Sequence, residues 1–141
     1  MPKTGTGSEV NYYWDSSALC KLFMEEDHSD AAHEFFVKAV QGDRVVVSFL
    51  TNLETTRVLR RSGLDPSKAL TVLGGLPSIE VSSSLLTEAR DTPPLELRSL
   101  DAIHLACATS LKRAGVSLVS YDKQLLAAAR HHGLEAISPG L

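Results

Sequence analysis

Cysteine, aromatic side chains and unbroken apolar runs are all scarce in this chain of 141 residues. Its two cysteines, Cys20 and Cys107, are too few and too far apart for a disulfide framework, and neither belongs to a metal-type cysteine pair. Both read as small buried hydrophobes. Aromatic residues make up 6% of the chain, so base stacking cannot be a broad mode of recognition. No apolar run approaches the about 20 residues that cross a bilayer, and the opening MPKTGTGSEV lacks the apolar core of a secretory signal. A cytoplasmic protein away from membranes is the expectation. A large charge excess is missing too. The formal net charge of -3 argues against a protein that simply coats nucleic acid, although a local basic patch can coexist with it.

What is present suits one globular domain. Hydrophobic residues make up 43% and charged residues 22% of the chain, enough to bury a core without disulfide support. Residues 1–8 read as a flexible tail and residues 9–141 as the domain. Strand and helix patterns alternate throughout. Strands are predicted at 10–14, 44–48, 78–82, 116–121 and 134–138. Helices are predicted over SSALCKLFMEE, which Ser16 or Ser17 could cap, over SDAAHEFFVKAVQG and over FLTNLETTRVLRR, with Gly63 following. Asp65-Pro66 opens another toward Gly74-Gly75, and LLTEAR forms a short one. After the break at TPPLE, a helix carries Asp101 and ends near Gly115, and KQLLAAARHHG forms the last. This order predicts a three-layer α/β/α sandwich around a five-stranded parallel sheet, with any site beyond the carboxyl ends of the strands.

Four acids stand out against that frame. Asp15 follows the first strand and Asp122 the fourth, on the predicted functional edge. Asp101 lies between Leu97 and Leu105 at spacings of four, and Glu54 lies likewise between Leu50 and Val58, so each interrupts an apolar ridge. Taken singly, each has a structural explanation: Asp15 and Asp122 as helix caps, Glu54 and Asp101 as partners of Arg57, Arg98 or another base. Taken together, carboxylates gathered at one edge would repel by about 4 kcal/mol per pair at about 4 Å. A divalent cation resolves that repulsion. Carboxylate-only ligation without Cys or His suits Mg²⁺, or Mn²⁺, better than Zn²⁺.

The stretches YYWDSSALCKLF, VVVSFLTNLETTRVLRR, LRSLDAIHLACA and LVSYDKQLLAAARHHGLEAISPG carry a resemblance from about residue 10 to Gly140. In that order and spacing the chain resembles the PIN-domain ribonucleases, specifically the VapC toxins of bacterial toxin-antitoxin pairs. The family's four acids match Asp15, Glu54, Asp101 and Asp122, and the hydroxyl residue usual two places before the last acid is Ser120. Ser16 and Ser17 match the polar residues after the first acid and, with Ser120, would support it. Tyr121 sits where the family varies. The resemblance implies RNA cleavage by a metal-activated water, leaving a 5′ phosphate and a 3′ hydroxyl with no covalent enzyme intermediate. Asp15, Asp101 and Asp122 would hold Mg²⁺ directly or through water, and Glu54 would serve as a ligand or as the base orienting the attacking water.

Other residues carry less. No Ser, Cys or His has the neighbours of a nucleophile with its base. His104, three residues past Asp101, reads as a packed or hydrogen-bonded core histidine. His131 and His132 close the last helix, where positive charge suits the dipole. Arg57, Arg60, Arg61 and Lys68 form the densest basic cluster, which could guide an RNA backbone or be a solvated helix end. Tyr12, Tyr13 and Trp14 read as core. A receiver-like signalling module would need a phosphorylatable Asp after the third strand, where Ser82, Ser83 and Ser84 stand. A PIN fold kept only for binding would be expected to lose acids, and all four are present. The resemblance also implies a VapB-type antitoxin that covers the acids, and a homodimer. FMEEDHSDAAHEFF and KALTVLGGL could offer an apolar groove, and ordinary core packing explains them equally well.

Overall fold

A computed structural model describes residues 9–141. The tail predicted for residues 1–8 lies outside the described residues. Five strands, β1 (Asn11–Trp14), β2 (Arg44–Ser48), β3 (Ser78–Ile79), β4 (Val116–Val119) and β5 (Glu135–Ile137), form one sheet in the order β3-β2-β1-β4-β5. Every pairing is parallel. A parallel sheet is covered on both faces, which is why its inner strands are nearly continuous apolar runs such as VVV of β2.

The register divides the core into two halves. Val46, Tyr13, Leu118 and Ala136 are aligned across four strands and face α5 (Ser83–Asp91), α6 (Ser99–Thr109) and α7 (Lys123–His131). Trp14, Val119 and Ile137 are aligned on the opposite face with Val45 and Val47, against α1 (Ser16–Cys20), α2 (Ser29–Gly42) and α4 (Ser67–Gly74). The three predicted layers are therefore present. Helix α3 (Phe49–Arg61) leaves β2 and packs along α1 and α4. Tyr13, Trp14 and Cys107 are fully buried, and burial pushes the Cys20 thiol up to about 11, so both cysteines are the inert core residues expected.

Several boundaries differ from expectation. Helix α1 ends at Cys20 rather than near Glu26. Tight turns follow, with Leu22 N–H donating to Leu19 O and Phe23 N–H to Cys20 O. The Ser29 hydroxyl then donates to Met24 O and accepts from Glu26 N–H, turning the acidic segment into α2. Strand β3 stops at Ile79 because it is an edge strand paired on one side, and Ser82 already caps α5. Helix α6 ends at Thr109, and a 3₁₀ turn (Lys112–Ala114) leads to Gly115, whose φ of 86° starts β4. Strand β4 ends at Val119, which frees Ser120, Tyr121 and Asp122 to form the loop before α7.

Candidate active site

The strand order 3-2-1-4-5 reverses direction at β1, so the carboxyl ends of β1 and β4 flank a topological switch point. Asp15 sits there, immediately after Trp14. It is the cap of α1, the role the sequence allowed it when taken singly, and neither Ser16 nor Ser17 is: its Oδ1 accepts from Ala18 N–H at 3.0 Å. The carboxylate is only 3% exposed, yet it is held by two hydroxyls as well, Ser17 Oγ donating to Oδ1 at 2.7 Å and Ser120 Oγ to Oδ2 at 2.6 Å. Burial raises the pKa of Asp15, and His104, Ser120, Ser17 and the Ala18 amide act in the opposite direction.

Ser120 ties the first acid to the last. Its hydroxyl donates to Asp15 and accepts from the Asp122 N–H at 3.0 Å, while Ser17 Oγ accepts from Tyr121 N–H at 2.9 Å. Asp122 caps α7, with Oδ1 accepting from Gln124 N–H at 2.9 Å and Leu125 N–H at 3.0 Å. Glu54 projects from the middle of α3, and its Oε1 accepts from Ser16 Oγ at 3.1 Å and pairs with His104 Nε2 at 2.6 Å.

Asp101 lies in the first turn of α6, a position that the helix dipole makes favourable for an anion. Its carboxyl is nevertheless pushed up to about 6, first by burial and then by Asp122, with Asp15 and Glu54 adding to the rise against an opposing effect of His104. Among the described residues no hydrogen bond offsets these effects. The three other acids thus all act on Asp101. All four line a cleft of about 550 Å³ together with Ser16, Ser17, Arg98, Ser99, Leu100 and Gln124.

Among the described residues no lysine or arginine forms an ion pair with any of the four acids, so the Arg57 and Arg98 partnerships allowed by the sequence do not form. Nor do three Asp, Glu, His or Cys side chains among the described residues already form a cage that could hold a metal ion. The oxygen-only donors and the unneutralised charge at Asp101 still fit Mg²⁺, which keeps several waters and binds through one or two carboxylates rather than a full protein cage.

Residues 12–131 match the family described as PIN domain. The chain belongs to the PIN-domain family. Its curated relatives in *Mycobacterium tuberculosis* include Ribonuclease VapC47, 35% identical over 131 residues that cover 91% of this chain and 96% of that protein. Ribonuclease VapC46 of the same species is 37% identical, with coverage of 90% and 96%. Among solved structures, the *Rickettsia felis* VapBC2 complex bound to a promoter DNA fragment superposes with a TM-score of 0.70 at 14% identity, covering 92% of this chain and 99% of that one. *Mycobacterium tuberculosis* VapC20, a toxin that cleaves the sarcin-ricin loop, gives 0.66 at 19% identity, with coverage of 83% and 94%. These two likenesses support the PIN fold.

Within this PIN domain the basic cluster stays apart from the acids. Arg57, Arg60, Arg61 and Lys68 are exposed and none lines the acidic cleft; Lys68 lines a separate one with Lys21 and Asp65. Arg98 is the cation that the cleft does contain. His104 is buried as expected, at 1% exposure, and its bond to Glu54 makes it the other base that the sequence allowed as a partner of that acid. The spacing His104 shares with Asp101 on α6 was the available signal.

Proposed function

We propose that this PIN domain is a VapC-type toxin, an Mg²⁺-dependent endoribonuclease that also accepts Mn²⁺ and is restrained by a cognate VapB-type antitoxin. Its relatives named Ribonuclease VapC support the activity, and the VapBC and *Klebsiella pneumoniae* toxin-antitoxin complexes share its fold. A homodimer is its proposed assembled form. The observation that carries the reading is the shared cleft, in which four acids from separate elements meet without a lysine or arginine ion-pair partner among the described residues.

Asp15, Asp101 and Asp122 would hold the ion, directly or through water. Bound Mg²⁺ would neutralise phosphoryl charge and lower the pKa of a water. The chain's own residues account for the remainder. Asp15 is locked by Ser17, Ser120 and the Ala18 amide, so its orientation is set before substrate arrives. Glu54 Oε1 is held by Ser16 and His104, while Oε2 accepts no hydrogen bond from the described residues and is available to orient water and take its proton. The water oxygen bonds to phosphorus, its proton passing to Glu54, as the P–O3′ bond breaks and the departing O3′ takes a proton from solvent water, leaving a 5′ phosphate and a 3′ hydroxyl. Arg98 in the cleft, and the Arg57, Arg60, Arg61 and Lys68 surface beyond it, supply positive charge for the RNA backbone.

The test is cleavage of end-labelled cellular RNA by the purified chain with Mg²⁺ or EDTA. Wild type should cut only with the metal, and Asp15→Asn and Asp101→Asn should fall to background while keeping wild-type circular dichroism. Undiminished cutting by either variant, or cutting in excess EDTA, would refute the proposal. Sequencing of RNA 5′ ends after induced expression would then identify the cleaved RNA.

A further inference from the structure

His104 lies at the centre of a buried hydrogen-bonded chain that ends on Glu54. Its Nε2 is 2.6 Å from Glu54 Oε1 and its Nδ1 is 2.7 Å from the Tyr13 hydroxyl, which is 2.8 Å from Ser48 Oγ. The ring is 1% exposed, and Tyr13 and Ser48 are fully buried. Water therefore cannot replace a missing partner cheaply.

The chemistry of the groups orders this chain. An ionised Glu54 can only accept, so Nε2 carries the proton. In a neutral ring Nδ1 then accepts, the Tyr13 hydroxyl donates to it, and Ser48 Oγ donates to Tyr13. Burial raises the pKa of Tyr13 well above its ordinary value, which keeps that hydroxyl protonated. With the ring neutral all donors point toward Glu54; with the ring charged Nδ1 donates to the Tyr13 hydroxyl and Nε2 still donates to Glu54.

We infer that His104 is a positioning residue: its Nε2–H clamps one Glu54 oxygen so that the other faces the cleft, and Tyr13 with Ser48 holds the ring in the tautomer that can do so. This rests on the ribonuclease reading above for its effect on rate, but the tautomer itself does not. Glu54 sits 50 residues before His104 in the chain, on a different helix, so no local interaction sets its side-chain direction. The Ser16 hydroxyl, at 3.1 Å, is a longer and weaker second anchor on the same oxygen.

Two isosteric amides separate positioning from packing. In His104→Gln the amide nitrogen falls near Nε2 and can still donate to Glu54, whereas in His104→Asn the polar atoms fall near Nδ1 and reach only Tyr13. Gln should keep kcat within several-fold of wild type. Asn should lower kcat about 10²-fold with KM for RNA unchanged, the effect expected of a misplaced catalytic group. Adding His104→Asn to Glu54→Gln should cost no further rate. Equal losses in the Gln and Asn variants, or an Asn variant with wild-type kcat, would overturn the inference. Independently of activity, ¹⁵N NMR of the wild-type protein should find a proton on His104 Nε2. An unprotonated Nε2 would overturn the inference even if the RNA assay succeeds, and failure of wild type to cut RNA would overturn the ribonuclease reading instead.

Discussion

At Asp101 the fold and the proposed chemistry pull in opposite directions. Burial first, then the charge of Asp122, and further the charges of Asp15 and Glu54 raise its carboxyl from 3.8 to about 6, with His104 opposing the rise. A carboxyl whose folded pKa exceeds its unfolded value favours the folded state when protonated, and that contribution is lost as pH rises through the folded pKa. For Asp101 the loss falls between about pH 4 and 6 and is complete at neutral pH. Asp101→Asn should therefore raise the Tm of the metal-free protein at about pH 7.5, and the gap should narrow as the pH is lowered toward 4. Calorimetry in EDTA measures this. An unchanged or lower Tm at neutral pH would mean that the acids do not crowd one another.

Among the elements, the helix starts connect fold to site. Asp15 and Asp122 are both ordinary N-caps, as each acid taken singly allowed, and both line the cleft. The two roles coincide because α1 starts two residues after the end of β1 and α7 four residues after the end of β4, which leaves the capping residue at the carboxyl edge of the sheet. Substitution can separate them. Asn caps a helix as well as Asp does, whereas Ala loses about 1 kcal/mol. Asp122→Asn should keep the urea midpoint while losing RNA cleavage, and Asp122→Ala should lose both. A cleaving Asp122→Asn variant would leave the residue with its cap alone.

Taken as a whole, the molecule holds four acids in one cleft on a chain of net charge -3. A ligand that binds only the folded state stabilises it by mass action, about 2.7 kcal/mol at a hundred times Kd. Mg²⁺ should accordingly raise the Tm of wild type in a concentration-dependent way and raise that of Asp101→Asn much less. Differential scanning fluorimetry across a Mg²⁺ series with constant ionic strength is the measurement, and no dependence on Mg²⁺ in wild type would count against the cleft as a metal site. The same geometry places the densest basic cluster outside the cleft, so RNA contact there would be at a distance from the scissile bond.

The sequence by itself determined the alternation of strands and helices, the five strands, and the acid Glu54 that interrupts the Leu50–Val58 ridge of α3. It could do so because period, capping and β-branched runs are set by residues within a few positions of one another. Leu97, placed on one ridge with Asp101, instead precedes α6, which starts at Ser99. Where neighbours along the chain gave no clear stop, boundaries slipped, as at the end of α1 and in the two-residue β3. Only the tertiary structure decided that Asp15 is clamped by Ser120, 105 residues away, that Ser16 reaches Glu54 across 38, and that His104 reaches it across 50. Those pairings arise when parallel strands bring distant loops to one edge, a consequence of sheet order that no local pattern encodes.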